Sequence, residues 1–186
     1  PWETGTFRLS AGRGKKSAAI FAENQWLFGT NRAINIVNNN GEFYGLNPEI
    51  AWNYGASFTQ KFKLFNRQGD FIFDFYKTDF SEQIIVDMEN PSEISFYNVS
   101  SKSKANSFQA EFNYSPFKYF SIKTAYKFQD IDNGYISGSK QQPMQPKNRF
   151  FTNLSFETNH DEKGGNWKFD YTYNWQSEQR LPDTSI

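Results

Sequence analysis

The chain has 186 residues, of which 37% are hydrophobic, 19% aromatic and 22% charged, with a formal net charge of zero and a mean hydropathy of -0.77. The absence of cysteine excludes disulfides and thiolate metal sites, the scattered basic residues give no footprint for nucleic acid, and no run approaches the roughly 18 apolar residues of a membrane-spanning helix. With 21 Phe, 10 Tyr and 5 Trp against 2 Met, the apolar material is aromatic, and aromatics favour strands.

Phe7 to Gly14 alternates Phe7, Leu9 and Ala11 against Arg8, Ser10 and Gly12 and reads as a short strand. A long irregular stretch then runs to about Gly45. From Glu49 to Phe62 a second strand sets Trp52, Tyr54, Ala56, Phe58 and Phe62 against Asn53, Gly55, Ser57, Thr59 and Lys61. Asn66-Arg67-Gln68-Gly69 turns the chain into a strand with Phe71, Phe73 and Phe75 on one face and Ile72, Asp74 and Tyr76 on the other. From about Ser81 to Ala105 the chain reads as polar and irregular. Phe108, Ala110, Phe112 and Tyr114 then alternate up to Pro116, and Phe120, Ile122, Thr124, Tyr126 and Phe128 follow after a tight connection. A hairpin centred on Phe117 would set Glu111 opposite Lys123 and Phe112 opposite Ile122, so that like faces match.

A loop from about Ile131 to Lys147 precedes a strand from Arg149 to Thr158, in which Phe150, Thr152, Leu154 and Phe156 oppose Phe151, Asn153, Ser155 and Glu157. Asn159 to Gly165 turns it back. Trp167 to Gln176 then alternates without a slip: Trp167, Phe169, Tyr171, Tyr173 and Trp175 on one face, Lys168, Asp170, Thr172, Asn174 and Gln176 on the other. The pattern predicts about seven strands joined by alternately long and short connections.

That alternation of connection lengths points to an all-β, antiparallel, up-and-down transmembrane barrel, which pairs short turns at one end with long loops at the other. A strand of about ten residues spans about 33 Å, or about 25 Å along the membrane normal when tilted, which matches the apolar band of such barrels. Trp52, Tyr54, Phe58, Phe71, Phe73, Phe112, Ile122, Phe156, Trp167, Phe169, Tyr171, Tyr173 and Trp175 are expected to face lipid. Glu111, Lys123, Lys127, Glu157, Lys168 and Asp170 are expected to line a polar lumen, with the two glutamates paired to lysines across the strands rather than acting as an acid/base couple. Trp167 and Trp175 would mark the two membrane boundaries.

Leu46-Asn47-Pro48-Glu49, followed by Trp52-Asn53-Tyr54-Gly55, resembles the step that opens a descending strand in TonB-dependent receptors of the Gram-negative outer membrane. Arg8-Leu9-Ser10-Ala11-Gly12-Arg13-Gly14 with Ile20-Phe21-Ala22-Glu23-Asn24 looks like the preceding strand and loop of the branch common in Bacteroidetes. Phe75-Tyr76-Lys77-Thr78-Asp79-Phe80, Asn148-Arg149-Phe150 and Gln179-Arg180-Leu181-Pro182 extend the likeness over nearly the whole chain. The resemblance implies that residues 1–186 are part of one barrel domain of about 22 strands, with the plug and the final strands outside this chain. It further implies transport of a scarce nutrient without chemistry, an energising TonB-type partner, outer-membrane lipid around the wall, and a surface lipoprotein or larger complex as a further partner.

The residues expected to meet the substrate are Phe21, Glu23, Asn24, Trp26, Arg32 and Tyr44 in the first long loop, where aromatic and Arg side chains suit large organic ligands. Their alternative role is packing of the loop itself. Gly12-Arg13-Gly14-Lys15-Lys16 lacks the spacing and the helix of a phosphate loop. His160, the single histidine, has no second ligand for a metal, and no cofactor is implied. Two rival readings are a soluble β-sandwich glycan-binding module and an enzyme on an antiparallel barrel. The first needs short loops at both ends, and the second a convergent catalytic set; the sequence offers neither.

Overall fold

Aromatic and polar residues alternating over long runs send the rings to one face and the polar groups to the other, so a sheet forms that is wide and only one layer thick. A computed structural model of the chain describes residues 2–100, 103–159 and 164–182. In chain order the elements are β1 (Gly5–Lys16), α1 (Ile20–Glu23), a 3-10 turn (Gln25–Gly29), β2 (Ala33–Ile36), β3 (Glu49–Leu64), β4 (Arg67–Asp87), β5 (Glu93–Val99), β6 (Lys104–Phe117), β7 (Phe120–Tyr135), β8 (Gly138–Gln141), β9 (Asn148–Glu157) and β10 (Lys168–Gln176). The long strands form an antiparallel meander in the order β1-β3-β4-β6-β7-β9-β10. The short strands attach at one end, β5 to β4, β2 parallel to β5, and β8 to β7.

The seven long strands and the alternating connections are those expected. Several details differ. The stretch from Ser81 is not irregular: β4 continues to Asp87 and hairpins into β5, because Ile84, Ile85 and Val86 are covered on both faces and so show no alternation. The first loop holds α1, the 3-10 turn and β2, and β7 extends to Tyr135 before turning into β8. The β3–β4 turn is Phe65-Asn66, both left-handed at φ 48° and 61°, with Arg67 already in the strand. The β6–β7 hairpin turns at Lys118-Tyr119, with an irregularity between Tyr114 and Phe117. Its register is therefore two residues from the expected one: Glu111 faces Ala125 and Phe112 faces Thr124. A slip of two preserves every face, which is why the error left the sidedness intact.

The register stacks the aromatic face into rows. One runs Phe7, Phe58, Phe73, Ala110, Tyr126, Phe150, Trp175 across the meander. Neighbouring rings meet at 5.0 Å between Phe71 and Phe112 and at 5.9 Å, nearly parallel, between Phe62 and Phe112. A directly paired couple such as Phe71 and Phe112 is worth about 0.2–1 kcal/mol to strand pairing. On this face charge appears only at the margins. At the loop end Arg13, Trp52, Asp79, Lys104 and Asp132 form one continuous row, and Arg67 stands at the turn end. From Arg67 to Lys77 on β4, at about 3.4 Å per residue, the interval is about 34 Å along the strand and about 25 Å at the usual membrane tilt.

Within that band the polar groups satisfy each other. Thr124 and Thr152 share a hydrogen bond of 2.9 Å, and Gln60 accepts from the Trp2 indole at 3.1 Å while donating to Thr4. The band has no core: between the turns and the loop end the fully buried residues of β1, β3 and β4 are the glycines Gly5, Gly55 and Gly69. A Cβ on Gly69 would strike the Phe62 ring and the Asn113 carbonyl, and one on Gly55 would lie 2.8 Å from the Tyr76 ring. In both cases the aromatic lies against its cross-strand glycine and fills the space a side chain would take.

Candidate functional site at the loop end of the sheet

The buried hydrophobic core lies outside the wall, where the long connections meet. Ala18, Ile20, Leu27, Leu46, Ile94 and Phe96 form its main cluster, with Ile84 and Val86 of β4 packed against it. Leu46-Asn47-Pro48-Glu49 is the anchor of this end. Leu46 is buried, and Glu49 accepts from the Ile84 amide at 3.1 Å while its other oxygen pairs with Lys16 at 3.3 Å. Asn98 of β5 holds both backbone groups of Asn47, accepting from its N–H at 2.8 Å and donating to its carbonyl at 2.9 Å.

A second cluster, Ile85, Tyr97 and Tyr135, joins the β4–β5 hairpin to β7. The Tyr97 hydroxyl donates to Asp87 at 2.7 Å and accepts from the Ile136 amide at 3.2 Å. Burial, and then that bond to Asp87, push its pKa well above the ordinary phenol value. After β10 the chain folds back over this end. Arg180 pairs with Glu89 at 2.7 Å, donates to the Gln141 carbonyl at 2.8 Å and lies over the Tyr135 ring at 5.8 Å. The hydrogen bond to Glu89 raises its pKa further, so the guanidinium is a permanent charge.

Between these clusters opens a cleft of about 610 Å³. Asn24 and Trp26 come from the first long connection, Gln83, Ile84, Ile85 and Val86 from β4 and Met88 from just after it, Asn133 and Tyr135 from β7, and Gln142 to Gln145 from the connection into β9. Gln83 donates to Asn133 at 3.2 Å, while the Gln83 Oε1 atom is buried with no donor among the described residues. Gln145 is fixed by donation to Gln129 at 2.9 Å.

Of the six loop residues expected at a substrate site, this cleft takes up Asn24 and Trp26. Phe21 and Tyr44 pack edge-to-face at 5.1 Å, and Phe21 also leans on Phe96, so these two build the loop. Glu23 is bound by Lys16 at 2.6 Å. Arg32 sits beside the turn its own amide makes with Thr30. The remaining polar cleft residues, Gln83, Asn133, Tyr135, Gln142 and Gln145, carry no local sequence signal, because polar residues at strand ends converge only through the sheet register. Among the described residues no group of three or more potential metal ligands forms, and His160 lies outside the described residues.

A family model described as TonB dependent receptor-like, β-barrel, matches residues 1–185. The chain belongs to the TonB-dependent receptor β-barrel family. Comparison with curated proteins and with solved structures gives no significant match. The family is one of outer-membrane transporters of Gram-negative bacteria, served by a TonB-type energising protein, and not an enzyme family. In the receptor wall, Trp52, Tyr54, Phe58, Phe71, Phe73, Phe112, Ile122, Phe156, Phe169, Tyr171, Tyr173 and Trp175 all fall on the aromatic face, with Trp167 just before β10. Glu111, Lys123, Lys127, Glu157, Lys168 and Asp170 fall on the opposite face. The lysine partners expected for the glutamates differ. Glu111 accepts from Gln109 at 2.6 Å, and Glu157, although opposite Lys168, accepts from Asn166 at 3.0 Å. Among the described residues neither forms an ion pair with lysine, because the hairpin slip moved Lys123 away and Lys168 leans toward Asp170 at 3.8 Å.

Proposed function

We propose that these residues form part of the wall of a TonB-dependent transporter of the type common in Bacteroidetes, in a single barrel domain of about 22 strands. The aromatic face meets lipid, the opposite face lines the lumen around a plug, and the three long connections stand on the outer side. Substrate binds at those connections and at the plug, the inner-membrane partner pulls the plug, and no bond is made or broken. The observation that carries this reading is the charge-free aromatic band, about as tall as a bilayer core and uncovered by any second layer among the described residues. A soluble sandwich would cover one face of this sheet with another. The bare edges of β1 and β10 are closed by the rest of the barrel, since an open sheet edge in hydrocarbon is untenable. The branch assignment is supported by residues 8–14 and 20–24, the latter holding α1, whose Ile20 belongs to the loop core. The test is extraction of the full-length protein from outer membranes: release only with detergent, and heat-modifiable migration on gels, are expected. Partition into the aqueous phase without detergent would overturn the reading.

A further inference from the structure

The transport reading leaves the substrate class open, and the following inference rests on it. No charged side chain lines the cleft at the loop end. Its polar lining consists largely of carboxamides: Asn24, Gln83, Asn133, Gln142 and Gln145. Of the charges nearby, Glu89 pairs with Arg180 and Lys140, Asp87 accepts from Tyr97, Lys147 pairs with Asp130, and Arg149, outside the lining, donates to Gln145 at 3.4 Å. An anionic chelate would call for Arg or Lys in the lining and a cationic ligand for carboxylates. A short peptide would bring terminal charges into a site with no counter-charge.

A carboxamide offers two donors on its nitrogen and two lone pairs on its oxygen, which suits a hydroxyl that both gives and accepts a hydrogen bond. The Gln83 Oε1 atom, buried and without a donor among the described residues, is one acceptor a ligand hydroxyl could satisfy. Trp26 is 48% exposed and offers an indole face, and Ile84 to Val86 supply an apolar surface. Rings with apolar C–H faces and polar rims fit such a combination. The volume lies in the range of small-molecule pockets. We infer that the cleft binds a neutral, polyhydroxylated ligand, a glycan unit, with Trp26 as the stacking surface and the carboxamides reading its hydroxyls.

The experiment uses the full-length receptor in detergent micelles on an array of neutral and acidic oligosaccharides, followed by calorimetry with a retained glycan. Tetra-alanine and a ferric catecholate serve as competing probes. Retention of neutral glycans is expected, with Trp26→Ala and Gln142→Ala each weakening binding about tenfold. Phe28→Ala, an exposed residue of the same loop outside the cleft, is expected to bind as the wild type does. Heat-modifiable migration verifies that each variant still forms a barrel. Retention of acidic glycans alone, no glycan retained, preference for the peptide or the chelate, or binding indifferent to both cleft variants would overturn the inference. Energised uptake of a charged solute would sink it and leave the transport reading standing, whereas neutral-glycan binding without any energised uptake would do the reverse.

Discussion

Asn98 does for Asn47 what a neighbouring strand does for residues in the wall, pairing both backbone groups with one side chain. Replacing it by leucine leaves a part-buried N–H and carbonyl unpaired, at about 1–3 kcal/mol for each group that water cannot reach. Asn98→Leu is therefore expected to loosen the Leu46–Glu49 anchor, read as faster amide exchange at Asn47 with the band unaffected. Tyr97 carries a pH dependence. Its folded pKa lies above the unfolded value of about 10, so the stability it contributes is complete below about pH 10 and is lost as pH rises through the folded value. Thermal unfolding of the loop end should fall in alkaline solution, and Tyr97→Phe should flatten that dependence. Neither residue was legible in the sequence. Asn98 acts on a partner 51 positions away and Tyr97 on one 39 away, and a single polar or aromatic residue leaves no periodic trace.

Elements were legible where one face is uniform. The β10 alternation reads directly because each of its residues has one neighbour strand and no bulge. The upper part of β4 did not, because apolar residues covered on both sides lose period two. Hairpin registers depended on turn chemistry that the sequence disguised. A turn with both central residues left-handed ordinarily uses Asn or Gly, and here the first is Phe65, so the signal was missing. A bulky residue in that region is strained. Phe65→Asn should stabilise the β3–β4 hairpin by about 1 kcal/mol, measured as urea resistance of the full-length protein folded into vesicles. A loss instead would mean that this ring, 86% exposed here, is seated against something beyond the chain.

At the scale of the molecule, the aromatic face predicts a depth profile along each strand. Tyr171 is the middle ring of the five from Trp167 to Trp175, midway along the aromatic run of β10. Tyr171→Arg should cost about 2–4 kcal/mol, seen as impaired assembly of the full-length protein, while Asn174→Arg on the other face should be nearly silent. Equal tolerance at both positions would count against lipid on the aromatic side. With the aromatic face in lipid as proposed, the separation of the buried clusters from the wall also means that one chain is held together by two solvents. The loop end is stabilised as water-soluble proteins are, by apolar area withdrawn from water, and urea acts on that term directly. The wall has no such interior, and in the proposed orientation its cohesion comes from strand pairing sealed by hydrocarbon. Denaturant should then strip the outer cap from a standing barrel, and delipidation should open the barrel beneath a cap that is still folded.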